Sequence, residues 1–138
     1  MKLLDTDTCI GVLRGRPEVL SRYARVRGDE IVTTWVTAGE LFFGAARSVD
    51  PESNARHVGE FLTTLPVLGL DFAGARVFGE LKALLRRQGN IVADADLLIA
   101  SIALAQGAIV VTGNERHFDR MPGLEIENWL RSEESGSQ

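Results

Sequence analysis

Leu3-Leu4-Asp5-Thr6-Asp7-Thr8 is an apolar start that stops at a carboxylate, with a helix-like segment directly behind it. Such a run reads as the first strand of a sheet, delivering Asp5 to the sheet's carboxyl edge. Open α/β sheets bind their ligands at that edge. Whether this edge is a site depends on other polar side chains arriving there too.

Further along, short apolar runs alternate with helix-like segments. Ile31 to Thr34, Val67 to Leu70 and Ala108 to Val111 read as strands, and Leu124 to Glu127 as a fifth, edge strand. Thr6 to Arg14 reads as a short helix with Ile10, Leu13 and Cys9 inward. Pro17 suits the first turn of a second helix, which Gly28 closes. Thr37-Ala38-Gly39-Glu40 opens a third, and Asp50-Pro51 starts another that runs to about Leu65. Asp71 caps a long helix ending in Arg86-Arg87-Gln88-Gly89. After Ala93-Asp94-Ala95-Asp96, the segment from Leu97 to Ala105 is apolar almost all round, as a helix packed in a core is.

This alternation predicts one α/β domain over residues 1–131, with a mostly parallel sheet of four to five strands covered by helices on both sides. Ser132 to Gln138 is polar and small, and reads as a disordered tail. At 138 residues, 45% hydrophobic and 25% charged, the composition is that of an ordinary globule with a real core. No apolar run approaches the about 20 residues of a membrane span. The amino terminus is too soon acidic for a signal peptide. Cys9 is the one cysteine, so no disulfide framework or thiolate zinc site is expected and a cytoplasmic setting fits. A formal net charge of −4 speaks against bulk attraction to nucleic acid. It leaves room for an enzyme that meets a polyanion locally through metal ions.

Parallel topology brings distant residues together. Strand carboxyl ends share one edge with the amino termini of the covering helices. Asp5 and Asn114 each follow a strand, Glu40 lies in the first turn of a helix after one, and Asp94 and Asp96 begin a helix that precedes one. All five reach one rim. Converging carboxylates repel unless a cation compensates. Oxygen ligands without cysteine or a suitable histidine select a hard ion, Mg²⁺ or Mn²⁺. Such an ion activates water and neutralises charge on a phosphodiester, the chemistry of a nuclease.

Each residue also has a plainer reading. Asp5 and Asp94 are natural helix caps, and Asp96 is a favourable first-turn acid. Thr37-x-x-Glu40 fits a capping box. Asn114 suits a turn, while Thr6 and Thr112 either bond a metal-bound water or close turns. His57 and His117 read as structural or surface residues, and Trp35 and Trp129 as packing. Phe42 and Phe43 cannot both face one core, so one either marks a partner surface or is a lone exposed aromatic of the common kind. Arg14, Arg16, Arg22, Arg25 and Arg27 make the first helical hairpin basic, either a solvated face or a phosphate-contacting rim. Neither G-x-G-x-x-G nor a Walker lysine pattern occurs.

The segments Leu3–Asp7, Thr37–Gly44, Ile91–Ala100 and Val111–Phe118, in that order, resemble the PIN domain, and more closely the VapC toxins of type II toxin–antitoxin modules. Pro122–Trp129 is similar to that group as well. The resemblance covers the whole chain except its tail. It implies a three-layer α/β/α PIN-like fold and a Mg²⁺- or Mn²⁺-dependent endoribonuclease. It also implies a VapB-like antitoxin as inhibitor, a homodimer, and a structured RNA such as tRNA as target. The family's metal-binding and catalytic acids fall on Asp5, Glu40 and Asp96, with Asp94 and Asn114 in support, and Thr6 and Thr112 stand beside them as candidate supporting residues. Asp7 stands where Asn is commoner, and Asn114 removes a charge found in some members. The reading from another class is a non-catalytic PIN-like domain that binds RNA or protein, its acids serving as caps. A DNA-directed nuclease of the same fold is a third.

Overall fold

The computed structural model describes residues 1–26 and 30–131. Arg27, Gly28 and the segment from Ser132 onward fall outside the described residues. Five strands form one sheet: β1 (Lys2–Leu4), β2 (Ile31–Thr34), β3 (Val67–Leu68), β4 (Ile109–Val111) and β5 (Ile126–Glu127). Their order is β3-β2-β1-β4-β5, and every pairing is parallel. The chain walks outward from β1 to β2 and β3, then returns to add β4 and β5 on the other side. Direction therefore reverses between β1 and β4, and a crevice opens at their carboxyl ends.

Successive residues of the strands point to opposite faces, and both faces are buried. Leu3, Val32 and Val110 pack toward α5 (Phe72–Arg87) and α6 (Asp94–Gln106), with Leu81, Leu85, Leu97 and Ile99. Leu4, Ile31 and Val111 pack the other way. There they meet Cys9, Val19, Leu41, Val58 and Phe61 from α1 (Thr6–Leu13), α2 (Pro17–Arg25), α3 (Trp35–Ala46) and α4 (Pro51–Leu62). Leu3 and Leu4 are fully buried on opposite sides of one strand. Truncating either to alanine removes contacts worth about 2–5 kcal/mol.

Several boundaries differ from the sequence reading. The fourth helix stops at Leu62 rather than near Leu65, and β3 is two residues long. Leu13 faces outward while Cys9 is buried. The third helix starts at Trp35, because Thr34, still extended, caps it by accepting from the Thr37 N–H at 3.1 Å. Thr37 and Glu40 therefore form no capping box, and Glu40 lies in the second turn rather than the first. Trp35, expected in packing, is exposed. Trp129 is buried, its indole N–H donating to Glu127 at 3.1 Å. A one-turn helix, α7 (Glu115–Phe118), follows β4 where the sequence pattern shows none.

Gly107 ends α6 with φ +65°, the left-handed conformation that turns the chain back into β4. The basic hairpin is largely occupied with structure: Arg16 pairs with Glu18 at 2.6 Å, and Arg22 donates to the Asn128 carbonyl at 2.7 Å. Among the described residues no helix is long and apolar enough to cross a membrane.

Candidate active site

The β1/β4 crevice is built from backbone outward. The Asp5 N–H donates to the Val111 carbonyl at 3.0 Å, and the Thr8 hydroxyl donates to the same carbonyl at 2.9 Å. These bonds lock the first turn of α1 against the end of β4. Asp5 caps α1, its Oδ1 accepting from the Thr8 N–H at 3.0 Å. Thr112, the first residue beyond β4, also stands close enough to the Asp5 carboxylate to favour its charged form. Asp5 is thus both a cap and a charge at the switch point. It is only 3% exposed. Burial raises its pKa from 3.8 to about 6, against the opposing influence of Thr112 and Thr8, with a small further push from Asp7.

Its neighbours extend the site on either side. Toward β2, the Thr6 hydroxyl donates to Glu40 Oε1 at 2.5 Å and lies 3.3 Å from the Thr37 hydroxyl. Toward β5, the Asn114 N–H donates to Thr112 Oγ1 at 2.9 Å, and the Asn114 side-chain amide donates to Asp7. The Asn114 carbonyl accepts from the His117 N–H at 3.0 Å. His117 Nδ1 then lies 2.8 Å from Oδ2 of Asp96 on α6. A line of hydrogen bonds and chain neighbours thus joins Glu40, Thr6, Asp5, Thr112, Asn114, His117 and Asp96 along one sheet edge.

Asp94 stands apart. Ala93, not Asp94, is the N-cap of α6, and Asp94 forms an exposed ion pair with Lys82 of α5 at 2.9 Å. Glu40 and Asp96 cap nothing either; their carboxylates are held by Thr6 and His117. This weighs against reading these two acids as caps. His117, read as structural or surface, is indeed exposed, and it also reaches Asp96. One turn of helix has no periodicity, so only its place after β4 could have flagged it. His57 is exposed on α4, as a surface residue is.

Asp5, Asp7, Glu40 and Asp96 offer the hard oxygen donors that Mg²⁺ or Mn²⁺ prefers. A carboxyl that burial keeps from ionising gains most from a nearby cation. Among the described residues, though, no three acid, cysteine or histidine side chains stand close enough to hold an ion as they are. Glu40, Asp7 and Asp96 are turned onto Thr6, Asn114 and His117. The donor chemistry, carboxylate oxygen, is the kind a hard divalent ion takes.

Two clefts meet at Arg116 and His117, and Asp96 lines the first of them. One, of about 390 Å³, is lined by Ile91, Val92, Ala93, Asp96, Arg116, His117 and Arg120. The other, of about 310 Å³, runs from Gly113 to His117. Asp5 and Glu40 line neither.

A PIN domain match spans residues 2–124. The chain is 37% identical over 127 residues to the tRNA(fMet)-specific endonuclease VapC of Salmonella typhimurium, covering 92% of this chain and 96% of that protein. It is 38% identical over 129 residues to Ribonuclease VapC2 of Haemophilus influenzae, covering 93% and 97%. Its fold is similar to the crystal structure of DNA-bound VapBC from Salmonella typhimurium, with a TM-score of 0.86, 37% identity, and 93% and 97% of the two chains covered. It is also similar to VapBC2 from Rickettsia felis bound to a promoter DNA fragment, with a TM-score of 0.84, 30% identity and coverage of 93% and 98%. With a sheet, a crevice and a row of acids of this kind, and with relatives this similar over nearly their whole length, the chain belongs to the PIN-domain family and, within it, to the VapC ribonucleases.

Proposed function

We propose that this chain is the toxin of a type II toxin–antitoxin module: a cytoplasmic, Mg²⁺- or Mn²⁺-dependent endoribonuclease held in check by a VapB-like antitoxin. The observation that carries the proposal is the line of hydrogen bonds and chain neighbours from Glu40 to Asp96 across the β1/β4 crevice. Asp5, Asp96 and Glu40 would hold the divalent ion, which when bound supplies an acidified water and positive charge beside the scissile phosphate.

The chain's own residues divide the remaining work. Asp5 is anchored by Thr8 and Thr112 and fixes the centre of the site. Glu40, steered by Thr6, takes the proton from the attacking water. Asp96 is steered by His117. Asn114 braces Asp7 without adding charge to an already acidic rim. Asp94, committed to Lys82, contributes little. Single-stranded or looped RNA, including the loops of a tRNA, can splay its backbone into such an edge.

A protein partner is supported by the outer face of α3. Trp35 and Phe43 are 62% and 64% exposed there, with Phe42 also in solvent. An exposed aromatic stripe of this kind marks an interaction surface. A homodimer and an antitoxin complex are the assemblies in which it would be covered.

The test is cleavage of RNA by the purified protein after chelation, with Mg²⁺ or Mn²⁺ restored. Activity should return with the ion, and Mn²⁺ should raise Tm in a concentration-dependent way. Asp5→Ala and Asp96→Asn should stay folded and lose both cleavage and growth inhibition. A fully toxic, fully active Asp96→Asn protein would overturn the assignment. A wild-type protein that cuts no RNA with either ion and gains no Tm from Mn²⁺ would leave the reading of a non-catalytic interaction domain.

A further inference from the structure

The cleft beside Asp96 is lined by two unlike sets of residues. One set is Ile91, Val92 and Ala93, which lead into α6, and Ile91 is 89% exposed, an aliphatic side chain left in water at the lip of a cavity. The other set is Arg116, His117 and Arg120. Arg116 makes no hydrogen bond or ion pair among the described residues. Arg120 makes one long bond, 3.4 Å, to the side-chain oxygen of Asn90.

The acids nearby do not neutralise this second set. Glu115 is turned away onto Arg131 and Asn128, and Asp94 is paired with Lys82. The chain as a whole carries −4, so two exposed arginines at one cavity are a local feature rather than a share of a basic surface. Arg86 and Arg87, exposed at the end of α5, lie only a few residues before Asn90 and Ile91 in the chain.

A cleft lined by cationic residues, apolar residues and a candidate catalytic carboxylate suits one chemical unit. A nucleotide has a phosphate for the arginines and a flat, weakly polar base for the aliphatic residues. Arginine's fork is suited to phosphate oxygens, and base packing of this sort tolerates any sequence. Resting on the ribonuclease reading above, we infer that this cleft is a substrate subsite, seating the nucleotide next to the scissile phosphate. Arg116 and Arg120 hold its phosphate, and Ile91 packs on its base. These are positioning residues; the chemistry stays with Asp5, Glu40 and Asp96.

The test uses a fluorescein-labelled single-stranded oligoribonucleotide of mixed sequence, bound in chelator so that it is not cut, and the same strand cut in Mg²⁺. Arg116→Gln with Arg120→Gln should weaken binding about tenfold. The slope of log K against log salt should become shallower by about 0.7 per arginine. In cleavage KM should rise while kcat stays near its starting value. Ile91→Ser should shift the base preference beside the cut and leave the salt slope alone. Arg116, Arg120 and Ile91 are all exposed, so these variants should keep the wild-type melting curve; Arg116→Gln alone, with half the change in slope, serves if the pair does not.

An unchanged KM and salt slope in variants of a wild-type protein that cuts RNA would overturn the subsite and leave the ribonuclease reading standing. So would variants that lose a VapB-like partner but keep their RNA affinity, since the cleft would then belong to the antitoxin. A wild-type protein that neither binds nor cuts RNA would remove both.

Discussion

The Thr6 hydroxyl donates to Glu40 Oε1 at 2.5 Å, tying the first turn of α1 to the second turn of α3 over the carboxyl ends of β1 and β2. The bond sets the direction of an otherwise exposed acid. Thr6→Val keeps the shape of the side chain and removes the donor. A lost orienting bond to a carboxylate is worth about 1.4 kcal/mol, or about tenfold in rate. We expect kcat to fall by about that factor with KM and Tm nearly unchanged. Glu40→Gln should be far worse, about 100-fold or more, because it removes the proton acceptor itself. Equal losses in the two variants would mean that Glu40 serves only through its bond to Thr6.

Asp5 makes stability depend on pH in a direction opposite to that of a salt-bridged carboxylate. Its pKa is raised from 3.8 to about 6 on folding, chiefly by burial. Between those values the folded chain binds a proton that the unfolded chain has released. Ionising Asp5 therefore costs folding free energy, starting near pH 4 and complete above about pH 7. The cost is at most on the order of 3 kcal/mol. Asp5→Asn keeps an acceptor for the Thr8 N–H and removes the charge. Urea unfolding should show the variant gaining on the wild type as pH rises from 4 to 7, while its nuclease activity is lost. A stability difference that ignores pH would refute the buried-charge account. The functional site, on this view, holds an acid at the expense of the fold.

The two acids at the start of α6 should behave differently. Asp94 pairs with Lys82 where the side chains are 62% and 30% exposed, so the pair adds a few tenths of a kcal/mol at most. Asp96 is 22% exposed and faces His117. Asp94→Asn should retain activity within about twofold, whereas Asp96→Asn should fall by at least about 100-fold. His117→Ala should lie between them. Matched losses at Asp94 and Asp96 would return Asp94 to the machinery.

That contrast marks where the sequence stops being legible. An apolar run ending in a carboxylate, as at Leu4-Asp5, can be read directly, and parallel topology then carries Asp5, Glu40, Asp96 and Asn114 to one edge without knowing a single contact. The start of α3 cannot be read this way. Thr34 belongs to a β-branched strand run and also caps the helix, while Thr37-x-x-Glu40 imitates a capping box three residues downstream. Trp35 resembles a packing residue because hydrophobicity does not say which way the first residue of a helix points. Asp94 and His117 are misleading for one reason. Their partners, Lys82 and Asp96, lie 12 and 21 residues away and meet them only when helices dock.

Gly113 links Thr112 to Asn114, and its role is steric. It is not among the described glycines with positive φ, so any residue could adopt its backbone. A Cβ placed there, however, would come within 2.2 Å of Leu130 Cδ1. Leu130 packs against the core on the α1–α4 side and is held by its N–H donating to Asn128 Oδ1 at 2.8 Å. Gly113→Ala must therefore push Leu130 outward or shift the loop that carries Thr112 onto Asp5. Overpacking of this kind costs about 1–3 kcal/mol, and a shifted Thr112 should lower activity as well. Leu130→Ala alone should destabilise modestly by leaving a gap. Combined with Gly113→Ala, it should recover both stability and activity, because the new methyl fills the space that the leucine vacated. A double-mutant cycle in urea measures this directly. Strictly additive losses would show that the loop after β4 is held by something other than its fit against Leu130.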